Sequence, residues 1–172
     1  AALTALSAKN IIGELNRGWY IGATTLDFER SMIGSSVGHR KAIEKHLEYW
    51  RSTSQAKNFN VAAVRNDFAD RWIEAITAKM LSYRVVNMQA AGEVPNSEAS
   101  IAKLFSTELS QRIARTAIKM LGLSGLRIDV GAPQRGRTGA GYVSSVSATI
   151  AGGTSEIQRN IIATRGLGLP RA

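Results

Sequence analysis

The chain has 172 residues, of which 44% are hydrophobic and 20% are charged. This composition is typical of a single globular domain and excludes a disordered chain. No cysteine is present, which excludes a disulfide scaffold, a thiolate nucleophile and a zinc–thiolate site. No apolar run approaches the roughly 20 residues that a bilayer span needs. We therefore expect a cytoplasmic, globular protein.

The positive charge is concentrated in the last part of the sequence. The net charge is +9 in total, and residues 103–172 hold 10 basic and 3 acidic side chains. Such a surplus suits an anionic partner, such as the phosphates of a cofactor, a nucleic acid or an acidic protein face. Arginines that only keep a surface soluble are the alternative, and charge alone favours this alternative.

Two long helices are predicted before the first proline, Pro95. They cover about residues 18–52 and about residues 60–91, since nothing in these segments breaks a helix. In the second helix the apolar residues recur at steps of three and four, as one face of a helix requires. These residues are Val61, Val64, Phe68, Trp72, Ile76 and Met80.

The rest of the chain predicts one more long helix and two shorter ones. Ser97 is the predicted cap of the third helix, which ends at Gly122. The glycine-, proline- and arginine-rich residues 122–141 are expected to form a loop, and the shorter helices follow at about 142–150 and 155–165. Apart from an extended lead-in over residues 1–15, no strand is expected. The predicted fold is all-α, an up-and-down bundle of three long and two shorter helices.

Several kinds of site lack the residues they need. His39 and His46 are the only histidines, and the doubled Glu-x-x-His pattern of a di-iron bundle does not occur. We therefore expect solvent-exposed surface histidines and no metal site. The sequence also contains no Walker A loop and no dinucleotide-binding glycine pattern between a strand and a helix.

Residues 26–31, Leu-Asp-Phe-Glu-Arg-Ser, are the first segment that could carry chemistry. A carboxylate next to a bulky apolar residue on a long helix can be desolvated, which raises its pKa towards that of a general base. The alternative is a structural ion pair with another helix. The hexapeptide alone favours the ion pair.

Residues 151–160 are the second such segment. Gly152 and Gly153 allow a backbone to approach a ligand closely. Thr154 or Ser155 would then cap a helix whose free N–H groups suit a phosphate, a carbonyl or a flavin oxygen. An ordinary capped helix explains the same residues equally well.

A resemblance to a known family decides between these alternatives. Residues 152–170, GGTSEIQRNIIATRGLGLP, closely resemble the C-terminal signature of acyl-CoA dehydrogenases. Residues 16–19 and 26–30 resemble the start of the first helix of that same domain. The resemblance covers nearly the whole chain but well under half of a family enzyme, in which a helical domain and a β-barrel precede this domain. It implies that the chain is the C-terminal part of a longer enzyme.

The resemblance implies an FAD-dependent enzyme that converts an acyl-CoA thioester to the trans-2-enoyl-CoA. Many members carry the base, a glutamate, where this chain has Gly152. Isovaleryl- and long-chain-type members instead carry Glu before Arg on the first helix, as in Glu29-Arg30. Glu29 is therefore the candidate general base.

The remaining site residues are also implied by the resemblance. Asp27, Phe28, Arg30 and Gly153 correspond to residues that bind the acyl-CoA. The flavin-contacting residues correspond to Thr154, Ser155 and Glu156 at the start of the last helix, and to Gly122 and Gly125 in a turn that meets the flavin of a neighbouring subunit. The implied partners are an electron-transfer flavoprotein as acceptor and further subunits in a homo- or hetero-oligomer, usually a tetramer.

Two positions depart from the family pattern. Residues 57–60, Lys-Asn-Phe-Asn, lack the usual Phe-Gly, and Val146 stands where an arginine is common. These departures keep two alternatives open. One is a non-catalytic structural subunit, and the other is a nucleic-acid-binding module that uses the basic C-terminal part. The dispersed charge makes nucleic-acid binding the less favoured of the two.

Overall fold

The computed structural model describes residues 7–29, 33–53 and 61–170. Within them the chain forms helices and turns but no strand, which confirms the predicted all-α fold. Short 3₁₀ turns occur at Ala8–Asn10, Gly122–Leu126 and Pro133–Gly136, and a π turn at Ile162–Gly166. The six α-helices are α1 (Gly18–Glu29), α2 (Ile33–Ser52), α3 (Val61–Ala90), α4 (Ser97–Leu121), α5 (Arg137–Ala148) and α6 (Ser155–Ile161).

Helix α4 lies at the centre of the bundle and contacts α2, α3, α5 and α6. The main core forms where α2, α3 and α4 meet, because each helix turns its apolar positions towards the other two. Small residues such as Ala75 and Ala78 on α3 are buried in this core. Its large buried side chains are Ile43, Val64, Phe68, Leu109, Ile113, Met120 and Leu121.

A smaller core joins the end of α3 to the start of α4. Val85 packs there with Ala99 and Ala102, and all three are fully buried. The chain reverses through Gly92, whose φ of +78° favours glycine. The turn therefore sets α3 and α4 side by side as antiparallel neighbours, as an up-and-down bundle requires.

The first predicted helix corresponds to α1 and α2. Residues 30–32 lie outside the described part, so the continuity of this helix stays a prediction. The third helix begins as predicted, but the cap differs. Asn96 occupies the N-cap position without a side-chain cap bond, and the Ser97 hydroxyl donates to Glu98 Oε2 instead.

Helix α5 begins at Arg137, earlier than the predicted start near residue 142. Gln134, Arg135 and Gly136 all have positive φ, and this left-handed run turns the chain directly into the helix. A Cβ at position 136 would lie 2.4 Å from the carbonyl oxygen of Ile128, so the tight turn needs glycine there. The glycine content of this segment predicted a longer loop. Gly139 nevertheless lies inside α5, because the helix packs so closely on the carbonyl of Leu126 that a Cβ there would lie only 2.8 Å from the oxygen.

Replacing Leu109 with alanine should lower the free energy of unfolding by roughly 2–5 kcal/mol, since its fully buried side chain would leave a cavity at the centre of α4. Ile76→Ala on α3 is the matched control, because that side chain is half exposed and should cost less than about 1 kcal/mol. Urea denaturation of the two variants measures both values. Equal losses would contradict the described core.

Candidate functional site

The turn before α6 is held from inside the bundle. Gly152 and Gly153 have φ of +66° and +99°, in the region that favours glycine. The Gln158 amide Nε2 donates to both of their carbonyls, at 3.2 and 3.3 Å. Lys103 Nζ donates to the Gly153 carbonyl at 2.6 Å. Because Gln158 and Lys103 are 0% and 3% exposed, two buried polar side chains fix the turn.

Thr154 caps α6, as the sequence predicted. Its Oγ1 accepts a hydrogen bond from Ile157 N at 3.3 Å, and its carbonyl accepts from Gln158 N. The N–H of Ser155 donates to the Thr149 carbonyl at 3.0 Å. The N–H groups of Ser155 and Ile157 therefore have partners within the protein, as the capped-helix alternative has it.

Glu156 stays ionised at the start of α6. Its own backbone N–H and the Thr154 hydroxyl hold the pKa of this exposed carboxyl below its usual range, and Arg159 adds to the effect. A carboxylate stabilised in this way is a poor general base near neutral pH. It remains suited to accept hydrogen bonds from the hydroxyls of a ligand.

A polar cleft of 480 Å³ opens between α4 and the α5–α6 connection. Thr154, Ser155 and Glu156, the predicted flavin-contacting residues of α6, come together in its wall. The cleft also contains three guanidinium groups, which suit the phosphates of a ligand. Its lining residues are Glu108, Gln111, Arg112, Arg115, Thr149, Ile150, Thr154, Ser155, Glu156 and Arg159.

A chain of ion pairs holds the cleft to the bundle. Arg159 on α6 pairs with Glu108 on α4. Arg112, one turn further along α4, lies 3.8 Å from Glu108 and 3.0 Å from Glu74 on α3. These side chains are about one-quarter exposed, apart from Arg159, so solvent screens the pairs only in part. The network fixes the rim of the cleft across three helices.

Gly122 and Gly125 lie at the C-terminal end of α4. Gly122 ends the helix with a φ of +59°. Gly125 is buried, and a Cβ there would lie 2.9 Å from Leu121 Cβ. Arg115, the lining residue of the cleft that is nearest to Gly122 in the sequence, lies seven residues before it, about 10 Å along the helix axis. Gly122 and Gly125 are not among the residues that line the cleft.

The predicted base and acyl-CoA residues are described only in part. Asp27, Phe28 and Glu29 form the last turn of α1, and their side chains lie outside the described part. Arg30 and residues 57–60 lie outside it altogether. Gly153 is described, in the turn directly before Thr154. The acyl-CoA and base assignments of all these residues stay predictions.

The two histidines are not surface residues, so that prediction is wrong. His39 is 5% exposed, and its Nε2 lies 3.0 Å from the Ser110 hydroxyl. His46 is half-buried, with Nδ1 3.1 Å from the Gln134 amide nitrogen. Both line a cavity of 380 Å³ between α2, α4 and α5. Each lies one turn from the core residue Ile43, so the helical spacing turned them inward with it.

Burial lowers the pKa of both histidines. The pKa of His39 falls from 6.5 to about 4, chiefly through desolvation, while a hydrogen bond from the ring to the Ser106 backbone opposes the effect and Arg112 adds to it. Desolvation lowers the pKa of His46 as well. Both rings are therefore neutral near pH 7. Among the described residues, no group of three or more His, Cys, Asp and Glu side chains could hold a metal ion.

Sequence reasoning did not identify Lys103 and Gln158. A signal for Lys103 was available, because it occupies the same stripe of α4 as Ala99, Ala102 and Ser106, which are all buried. A lysine on a buried stripe needs a hydrogen-bond partner. Which carbonyl serves as that partner depends on the packing of α6 against α4, and local spacing does not contain this information.

Comparisons with known proteins match this chain over most of its length. The family described as "Acyl-CoA dehydrogenase, C-terminal domain" matches residues 16–167. The chain is 30% identical over 172 residues to the acyl-CoA dehydrogenase FadE26 of Mycobacterium tuberculosis, and the match covers 95% of this chain and 43% of that protein. None of the helices in the described ranges is long and apolar enough to cross a membrane.

Two solved structures have the same fold. The ChsE4–ChsE5 complex from Mycobacterium tuberculosis matches with a TM-score of 0.80 and 30% identity, over 97% of this chain and 44% of that one. A protein named Tcur3481-Tcur3483 steroid ACAD matches with a TM-score of 0.82 and 25% identity, over 97% of this chain and 44% of that one. The chain thus spans less than half the length of the relatives it matches.

The burial of His39 predicts a loss of stability in mild acid. Above pH 6.5 the ring is neutral in both the folded and the unfolded state. Between pH 6.5 and about 4 only the unfolded state binds the proton, so the free energy of unfolding should fall by roughly 1 kcal/mol per pH unit. In this pH window, the free energy of unfolding from urea denaturation should depend less on pH for His39→Gln than for the wild type. Parallel curves for the variant and the wild type would refute this account.

Alanine substitution should destabilise the protein more at Gly153 than at Gly152. A Cβ at Gly153 would lie 2.6 Å from Gln158 Nε2, whereas a Cβ at Gly152 meets open space. Both substitutions strain a left-handed backbone, but only Gly153→Ala also displaces Gln158. We expect losses of about 1 kcal/mol for Gly152→Ala and about 3 kcal/mol for Gly153→Ala, measured by urea denaturation. Equal losses would contradict the described packing.

Proposed function

Because this chain belongs to the acyl-CoA dehydrogenase family through its C-terminal helical domain, we propose that it is part of an FAD-dependent enzyme. This enzyme removes one hydrogen from the α and one from the β carbon of an acyl-CoA thioester. The observation that carries the proposal is the grouping of Thr154, Ser155 and Glu156 in one polar cleft. The activity belongs to the complete protein, in which this domain supplies one wall of the site.

The donors and acceptors of the cleft fit the polar part of FAD. The guanidinium group of Arg115 suits its diphosphate, whereas Arg159 in the same cleft is already paired with Glu108. The Thr154 hydroxyl and the ionised Glu156 carboxylate suit its hydroxyl groups. Thr154, Ser155 and Glu156 would therefore hold the flavin from this side. When bound, the flavin supplies the acceptor for the hydride that leaves the β carbon.

Glu29 is the proposed general base, which takes the proton from the α carbon. Two other positions are less suitable. Gly152 has no side chain, although many relatives carry the base there, and the pKa of Glu156 is lowered by its hydrogen bonds. Asp27, Phe28 and Arg30, together with the Gly153 backbone, would line the acyl-CoA site. These roles rest on the resemblance of residues 26–30 to the isovaleryl- and long-chain-type members.

The proposed enzyme passes its electrons to an electron-transfer flavoprotein and works as an oligomer. Gly122 and Gly125, which do not line the cleft, would meet the flavin of a neighbouring subunit, as the resemblance implies. An assembly of several such subunits, either identical or different, would then complete each site.

The direct test is purification of the complete protein and measurement of its visible spectrum and its dehydrogenase activity. The assay follows reduction of an electron-accepting dye with butyryl-, isobutyryl-, isovaleryl-, octanoyl- and palmitoyl-CoA. A steroid acyl-CoA completes the panel, because one similar structure is named a steroid ACAD. We expect a yellow protein that oxidises at least one of these thioesters. A protein that stays colourless after incubation with FAD would refute the proposal.

Glu29→Gln should lower kcat on the best acyl-CoA by a factor of about 10²–10⁴, since the amide cannot accept the α proton. The flavin content should not change. Glu48→Gln is the matched control, because Glu48 is an exposed glutamate on α2 with no proposed role in the site. Normal turnover of Glu29→Gln with flavin bound would exclude Glu29 as the base.

A further inference from the structure

Lys103 is a buried side chain whose partner is a backbone carbonyl. It lies in the second turn of α4 and is 3% exposed. Its Nζ donates to the Gly153 carbonyl at 2.6 Å, the short distance of a charge-assisted hydrogen bond. Lysine is among the residues that proteins bury least often, because its ammonium group loses its hydration. A buried methionine would fill similar space without that loss, so the lysine needs an explanation beyond packing.

The hydrogen bond acts on a turn made of two consecutive glycines. Gly152 and Gly153 are consecutive left-handed residues without side chains, so neither has a Cβ that limits its conformations. Gln158 also holds their carbonyls, but it belongs to α6, the helix that the turn itself begins. Lys103 comes from α4, the central helix. It is therefore the contact that fixes Gly153 relative to the bundle rather than relative to its own helix.

We infer that Lys103 is a positioning residue, which holds the Gly153 backbone in place against the thioester carbonyl of the substrate. This inference rests on the proposed function, because Gly153 is placed beside the thioester only by that proposal. Lys103 touches neither substrate nor flavin in this account. It acts through the Gly153 carbonyl, and its loss lets the turn shift while the cleft formed by Thr154 and Glu156 remains.

The inference predicts a selective loss of affinity for ligands that carry a thioester carbonyl. The variant is Lys103→Met in the complete, flavin-loaded protein. The two ligands are the trans-2-enoyl-CoA whose chain matches the best substrate of the panel above, and the S-alkyl-CoA thioether of the same length. The oxidised enzyme consumes neither ligand, and the thioether lacks only the carbonyl and the double bond. Calorimetric titration gives both dissociation constants.

We expect Lys103→Met to bind the enoyl-CoA at least tenfold more weakly and the thioether less than twofold more weakly. Lys119→Met is the matched control, because Lys119 is an exposed lysine on the same helix that pairs with Asp67. This control should change neither value. Equal losses for both ligands, or no loss for either, would show that Lys103 has only a structural role and would overturn the inference. A wild-type protein that binds neither ligand and oxidises no acyl-CoA would instead refute the proposed function.

A second variant keeps the inference testable if Lys103→Met does not retain its flavin. Gln158→Met removes the other donor to the Gly153 carbonyl and leaves Lys103 in place. We expect a smaller loss, of about threefold, that is again confined to the enoyl-CoA. A loss for the thioether of the same size would overturn the inference, because it would mean that the turn acts only through the general stability of α6.

Discussion

The burial of α4 on most sides is the constraint on which the rest of the structure depends. The helix contacts α2, α3, α5 and α6, so the long or strongly polar side chains on its buried faces need partners inside the protein. The Thr107 hydroxyl donates a hydrogen bond to the Lys103 carbonyl, and the Ser110 hydroxyl is hydrogen-bonded to His39. Lys103 itself finds its partner at Gly153. The polar groups of one helix thus connect the core, the histidine cavity and the α6 turn.

The same helix carries the charges that shape the cleft. Arg112 binds Glu74 and Glu108 and helps to lower the pKa of His39, so one guanidinium group acts on both cavities. Much of the positive charge in the C-terminal part is paired in this way, as with Arg159 and Glu108 or Arg127 and Asp129. Paired cations offer a polyanion less than the net charge suggests. The net charge alone therefore gives little support to a nucleic-acid-binding surface.

The sequence predicted the features of this structure that depend on residues close together in the chain. The helical extent of α3 and the cap at Thr154 follow from contacts within a few residues, so the sequence predicts them. The apolar stripe of α3 was predicted only in part, because Ile76 and Met80 are half exposed and α3 packs there through Ala75 and Ala78. The buried histidines were mispredicted because polarity was weighed above spacing. The start of α5 was missed because it depends on the packing of Gly136 against Ile128. Lys103 was missed because its partner is 50 residues away in the chain.

Helix α4 also fixes the spacing of the two places that the proposed function assigns to flavin. The cleft that Thr154 and Glu156 line runs beside the middle of the helix, from Glu108 to Arg115. Gly122 ends the helix seven residues beyond Arg115, which is about 10 Å along the helix axis. Because α4 is a continuous helix packed on four others, this separation is rigid. Under the proposed function, it therefore sets how far the flavin contact at Gly122 lies from the contacts at Thr154 and Glu156.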